Sequence, residues 1–139
     1  MEDPIYKWRR AYAELQARLL ASGALDLTSL SALRADSSVA DTAAWVRRQG
    51  SRILAVDREE STFYPRFQFT EAGGLRAELA PHVATLQESG ARSWRIWAWL
   101  VEPAALVSGE VPVDVLAENP ARGIRAVERF AARARAEQG

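Results

Sequence analysis

The sequence predicts a mainly α-helical protein: a helix-turn-helix with a short two-stranded β-hairpin wing, followed by a small C-terminal helical domain. Three observations predict it. Apolar residues recur at three- and four-residue steps over most of the chain. Two short helical patterns between residues 27 and 49 are separated by Asp36-Ser37-Ser38, residues that favour turns and caps. The β-prone stretches SRILAV (51–56) and TFYPRFQF (62–69) follow directly.

Taken in order, Pro4 suits a first helical turn, and Ile5, Trp8, Tyr12, Leu15 and Leu19 form one apolar stripe of a helix that Ser22 and Gly23 stop. That stripe either caps its own chain or pairs with a second subunit; in the latter case Trp8, Tyr12 and Leu15 are the oligomerisation residues. Leu27, Leu30 and Leu33 mark a second helix, with Asp26 or Thr28 as its cap. A third, from Val39 or Ala40 to Gln49, carries Trp45 and Val46 inward and ends at Gly50. The charged DREES segment between the strands suits a hairpin loop, and Pro65 calls for an edge position or an early end to pairing. Gly73-Gly74 is the candidate boundary between a module spanning 1–72 and one spanning 73–139.

The second module reads as four further helices: Leu79 or Pro81 to Gln87, Ser93 to Val101, a short one opened by Pro112 and ended by Asn119-Pro120, and a last one that carries Ile124, Val127 and Phe130. Trp94 and Trp97 share a helix face and are expected in the core, whereas Trp99 is rotated off it and is a candidate partner-facing aromatic. On the last helix Arg122, Arg125, Arg129 and Arg133 follow steps of three and four, either as a solvated face or as a partner surface.

Composition narrows the functions. The chain has 139 residues, with 18 basic and 18 acidic residues that cancel, so DNA binding requires local placement of arginines or more than one copy. Thr42, Arg47 and Arg48 on the third helix and Arg58 on the wing are the candidate DNA contacts, while Asp36 and Asp41 near that helix's start repel phosphate. Cysteine is absent and His82 is the single histidine, so neither a thiol nucleophile nor a histidine- or cysteine-based metal site is available. Glu59 and Glu60 are the closest acidic pair and lie in a solvated loop; no phosphate-binding glycine loop occurs. The expectation is a non-enzyme without cofactor or metal. The first residues lack a signal-peptide pattern and no run approaches a membrane span, which makes a cytoplasmic, membrane-free protein the default.

The segment Trp97-Ala98-Trp99-Leu100, then Pro103, Leu106, Gly109, Pro112 and Leu116, resembles the signature of the toxin-binding domain of Xre/MbcA/ParS-type antitoxins. Upstream, Arg52 to Val56 and Tyr64 to Phe69 resemble the wing-like strands that precede this domain in a subgroup of that family. The resemblance implies a two-part antitoxin whose helix-turn-helix binds its own operator. It also implies that the C-terminal elements block a partner toxin, typically a RES-domain enzyme that destroys NAD. On that basis Arg122, Arg125, Arg129 and Arg133 would lie near the toxin, with Trp94, Trp97 and Leu100 building the support; Trp99, rotated off that face as an exposed or oligomer-facing aromatic, joins the candidate toxin-binding residues. The alternative is a stand-alone DNA-binding transcription regulator whose C-terminal domain serves oligomerisation.

Overall fold

The computed structural model describes residues 3–138. Helix α1 (Pro4–Ser22) starts where the Asp3 carboxylate accepts from the Ile5 amide, and it stops at Gly23. Strand β1 (Ala24–Leu25) leads into α2 (Leu27–Arg34), capped by Asp26, whose carboxylate accepts from the Ser29 N–H at 2.8 Å. Helix α3 (Val39–Gln49) is capped by Ser38 and runs into a 3-10 turn at Gly50–Arg52. Strands β2 (Val56–Arg58) and β3 (Ser61–Pro65) form a hairpin across Glu59-Glu60.

The wing differs from expectation in two respects. Its sheet has three strands in the order β1-β3-β2, because Ala24 and Leu25 pair with Pro65 and Tyr64. Two residues between two helices leave no periodicity to read, which is why β1 escapes a sequence analysis. The β-prone stretches are also shortened: residues 66–68 turn into a 3-10 segment after Pro65, and residues 53–55 lie outside the sheet. Pro65 therefore ends the central strand, consistent with its inability to donate to a ladder.

Gln68 holds this shortened region together. Its side chain is buried; its Oε1 accepts from the Leu54 N–H at 2.7 Å, and its Nε2 donates to the carbonyls of Leu54 at 2.8 Å and Pro65 at 3.2 Å. One amide thus completes for residue 54 the two hydrogen bonds that a neighbouring strand would otherwise make.

Beyond a short connector come α4 (Ala80–Glu88), α5 (Ser93–Val101), α6 (Pro112–Glu118) and α7 (Pro120–Gln138), with a 3-10 turn at Ala105–Val107. The main core mixes residues from both sides of Gly73: Leu19, Leu54 and Val56 pack with Leu86, Trp97 and Val127 among others. A second cluster, Leu30, Ile53, Tyr64 and Phe69, joins α2 to the sheet. Trp94 and Trp97 are buried and stack at 5.5 Å, and the Trp94 indole donates to the Asp57 carbonyl, tying α5 to the wing. Gly123 lets α7 close on α6, since a Cβ there would stand 2.9 Å from the Leu116 Cα.

Candidate functional site

Two surfaces contain the residues singled out by sequence. The first is the helix-turn-helix. Arg47 and Arg48 are exposed in the last turn of α3, and Arg52 is exposed in the 3-10 turn that follows. Among the described residues none of the three makes an ion pair. Thr42 is fully buried: its hydroxyl donates to Asp36 at 2.7 Å, so it has no surface to present to DNA and fixes the start of α3 instead. Asp36 also accepts from Arg34 at 2.9 Å, and the Thr42 hydroxyl together with Arg34 holds its carboxyl below the usual range. This acid just before α3 is therefore already compensated within the chain, whereas Asp41 remains exposed.

Arg34 was not signalled by the sequence, where it reads as an ordinary basic residue ending a helix. Its guanidinium lies 3.6 Å from the centre of the Trp45 ring and donates to the Gly73 carbonyl at 2.9 Å, linking both helices of the motif to the connector after the wing. Gly73 has φ +83° and no room for a Cβ, which would meet Arg34 Cγ at 2.4 Å. On the wing itself Arg58 is half-exposed, but Asp57, Glu59 and Glu60 around the hairpin tip are exposed, so the tip is acidic. An acidic tip repels a phosphate backbone, leaving the C-terminal turn of α3 as the basic part of this face.

The second surface is a groove of about 880 Å³ between α1, α5 and α7. Trp8, Tyr12 and Leu15 line it from α1, Trp99 from α5, and Phe130 and Arg133 from α7. Residues assigned separately to oligomerisation and to partner binding thus share one surface. Trp8 and Tyr12 stack at 5.8 Å, and Trp99 leans on Phe130 at 4.8 Å. Trp99 is half-buried, as its rotation away from Trp94 and Trp97 implies. The first turns of α1 stand clear of the core, with Ile5 62%, Tyr6 68% and Trp8 68% exposed.

Two ion pairs brace the groove. Arg18 on α1 makes a two-pronged pair with Glu102 at 2.8 and 3.2 Å, and Arg95 on α5 does the same with Glu137 on α7 at 2.7 and 3.3 Å. The hydrogen bond from Arg95 holds the Glu137 carboxyl below its ordinary range. Along α7, Arg125, Arg129 and Arg133 are exposed in line and make no ion pair among the described residues. Arg122, on the same line, is spent within the chain: it pairs with Glu110 and donates to the Val107 carbonyl at 3.0 Å, clamping α7 to the turn after α5. The Gly109 amide in that turn donates to the Ala104 carbonyl.

Among the described residues no group of three His, Asp or Glu side chains could hold a metal ion, and no helix is long and apolar enough to cross a membrane. His82 is half-buried at the start of α4; burial lowers its pKa, with Glu128 opposing the shift.

The architecture defines a class: a mainly helical protein with an N-terminal helix-turn-helix-like region, a small antiparallel wing and a C-terminal helical bundle. No protein-family model matches the chain, and no curated protein does. The solved NMR structure of Rv2175c is similar to it, with a TM-score of 0.53 and 25% sequence identity over 83% of this chain and 80% of that one. A match of that extent necessarily includes residues from both sides of Gly73.

Proposed function

We propose that this chain is the antitoxin of a type II toxin-antitoxin pair that binds and blocks a RES-type NAD-degrading enzyme. The observation that carries the reading is the line of uncommitted arginines Arg125, Arg129 and Arg133, continuous through Arg133 with an uncovered aromatic groove. Uncovered aromatic surface beside unpaired arginine is the composition of an interface centre. In the segment that resembles the antitoxin signature, Trp97 and the turn after α5 lie in the support beneath this surface, while Trp99 lines the groove. Trp97 is buried, and Arg122 locks the turn to α7. Co-expression with a RES-type enzyme encoded beside this chain, followed by purification through a tag on the enzyme, is expected to yield a complex. A tagged enzyme recovered alone counts against the reading.

A second reading, a DNA-binding regulator, is favoured by Arg47 and Arg48 in the last turn of α3 and Arg52 just after it, all exposed and without an ion pair among the described residues. In this reading the chain represses its own operon, and a second copy, paired through Trp8, Tyr12 and Leu15, supplies the other half-site. Replacing Arg47 and Arg48 by alanine is expected to weaken operator binding about tenfold or more. It should also flatten the dependence of log K on log salt by ~1 per arginine, read by a fluorescence titration at several salt concentrations. An unchanged salt slope would remove the third helix from the DNA interface.

A further inference from the structure

We infer that the groove between α1, α5 and α7 is the seat for an apolar segment of the partner protein that carries carboxylates. This deepens the partner-binding reading and rests on it. The walls are aromatic and aliphatic, and the volume of about 880 Å³ accommodates several large side chains. The charge at its rim selects the occupant. Both glutamates that line it are already paired, Glu102 with Arg18 and Glu137 with Arg95. Arg92 and Arg133 line it too and make no ion pair among the described residues. The uncompensated charge is thus positive, and carboxylates beside an apolar anchor complement it.

The same charge disfavours a second copy of α1 as the occupant. That helix carries Lys7 and Arg9 in its first turns against Glu14, while its Arg18 is already paired with Glu102, so inserting it brings surplus cation to a cationic rim. In this arrangement α1 is one wall of the seat, and Trp8 is its outermost aromatic.

The test uses the full chain and two short helical peptides with the same leucine and phenylalanine face, one flanked by glutamates and the other by lysines. Fluorescence polarisation at physiological salt is expected to show the glutamate peptide binding about tenfold more tightly or better. Arg92→Glu combined with Arg133→Glu is expected to abolish the preference, and Trp8→Ala to weaken binding. All three positions face solvent or line the groove, so an unchanged melting transition separates lost contact from lost fold. Equal binding of the two peptides, or binding indifferent to these substitutions, overturns the inference. A dimer in sedimentation that Trp8→Ala dissolves overturns it in favour of a second copy. Hydrogen exchange with the RES-type enzyme separates the two levels. Complex formation without protection of α1 and of residues 92–106 refutes the seat and leaves the antitoxin reading standing. Binding of the glutamate peptide without any complex does the reverse.

Discussion

Replacing Trp97 by alanine is expected to lower the free energy of unfolding by about 3–5 kcal/mol, the cost of truncating a buried aromatic and leaving its cavity. Trp97 is 1% exposed, stacks on Trp94, and belongs to the cluster that joins α1, the segment before β2, α4, α5 and α7. Little of that volume can collapse, because its neighbours come from separate elements. Domains of this size have a total stability of about 5–15 kcal/mol, so the variant will be marginal. Trp99→Ala is the informative control. Trp99 leans on Phe130 at the edge of the groove, and its truncation is expected to cost well under half as much while removing a wall of the groove. Urea unfolding followed by circular dichroism reads both; equal losses would mean that the two tryptophans do not divide between support and contact.

The second large effect is expected at Gln68. In Gln68→Leu the volume is nearly kept, but the Leu54 N–H and the carbonyls of Leu54 and Pro65 lose the partners this amide supplies. Leu54 is fully buried, so water does not replace them without local opening. An unsatisfied buried group costs about 1–3 kcal/mol, and a loss of about 2–4 kcal/mol is expected for the site. Gln68→Glu adds a pH test with a defined sign. A carboxylate there still accepts from the Leu54 N–H but cannot donate to the two carbonyls, and burial disfavours its charge. Its pKa in the folded chain is therefore expected above the unfolded value. Protonation then favours folding, so the stability gap to the unmodified chain should narrow as pH falls through that folded pKa. A gap that is flat or widens on acidification would show that the side chain is not held by these carbonyls.

Particular residues show what was legible in the sequence. Helix periodicity and caps are local signals, so α1 to α7 follow from Pro4, Asp26, Ser38, Gly50, Pro112 and Asn119-Pro120 with small shifts at the ends. The division of Trp94 and Trp97 from Trp99 follows from helical rotation alone. What escaped depends on residues distant in the chain. The Arg34–Gly73 hydrogen bond spans 39 positions and Arg18–Glu102 spans 84, and neither has a pattern within a window of one element. Gln68 reads as one polar residue in a β-prone stretch; only its burial beneath Leu54 reveals its role. Thr42 and Arg122 were marked by their position on a helix face, but such marking does not tell a side chain that faces outward from one already held by its own chain. The groove is of the same kind: its α1 wall is separated from the α5 and α7 walls by much of the sequence.

In the proposed antitoxin function, the exposed line Arg125, Arg129 and Arg133 on α7 is the surface that brings a toxic enzyme to a halt. NAD consumption by the purified RES-type enzyme, measured with increasing amounts of this chain, tests it most directly. The unmodified chain is expected to suppress consumption at near-stoichiometric amounts. A chain with all three arginines replaced by glutamate should leave consumption running while melting at an unchanged temperature. Suppression by the triple variant as strong as by the unmodified chain would contradict the assignment of the surface. Uninterrupted NAD consumption in the presence of the unmodified chain would contradict the antitoxin reading itself.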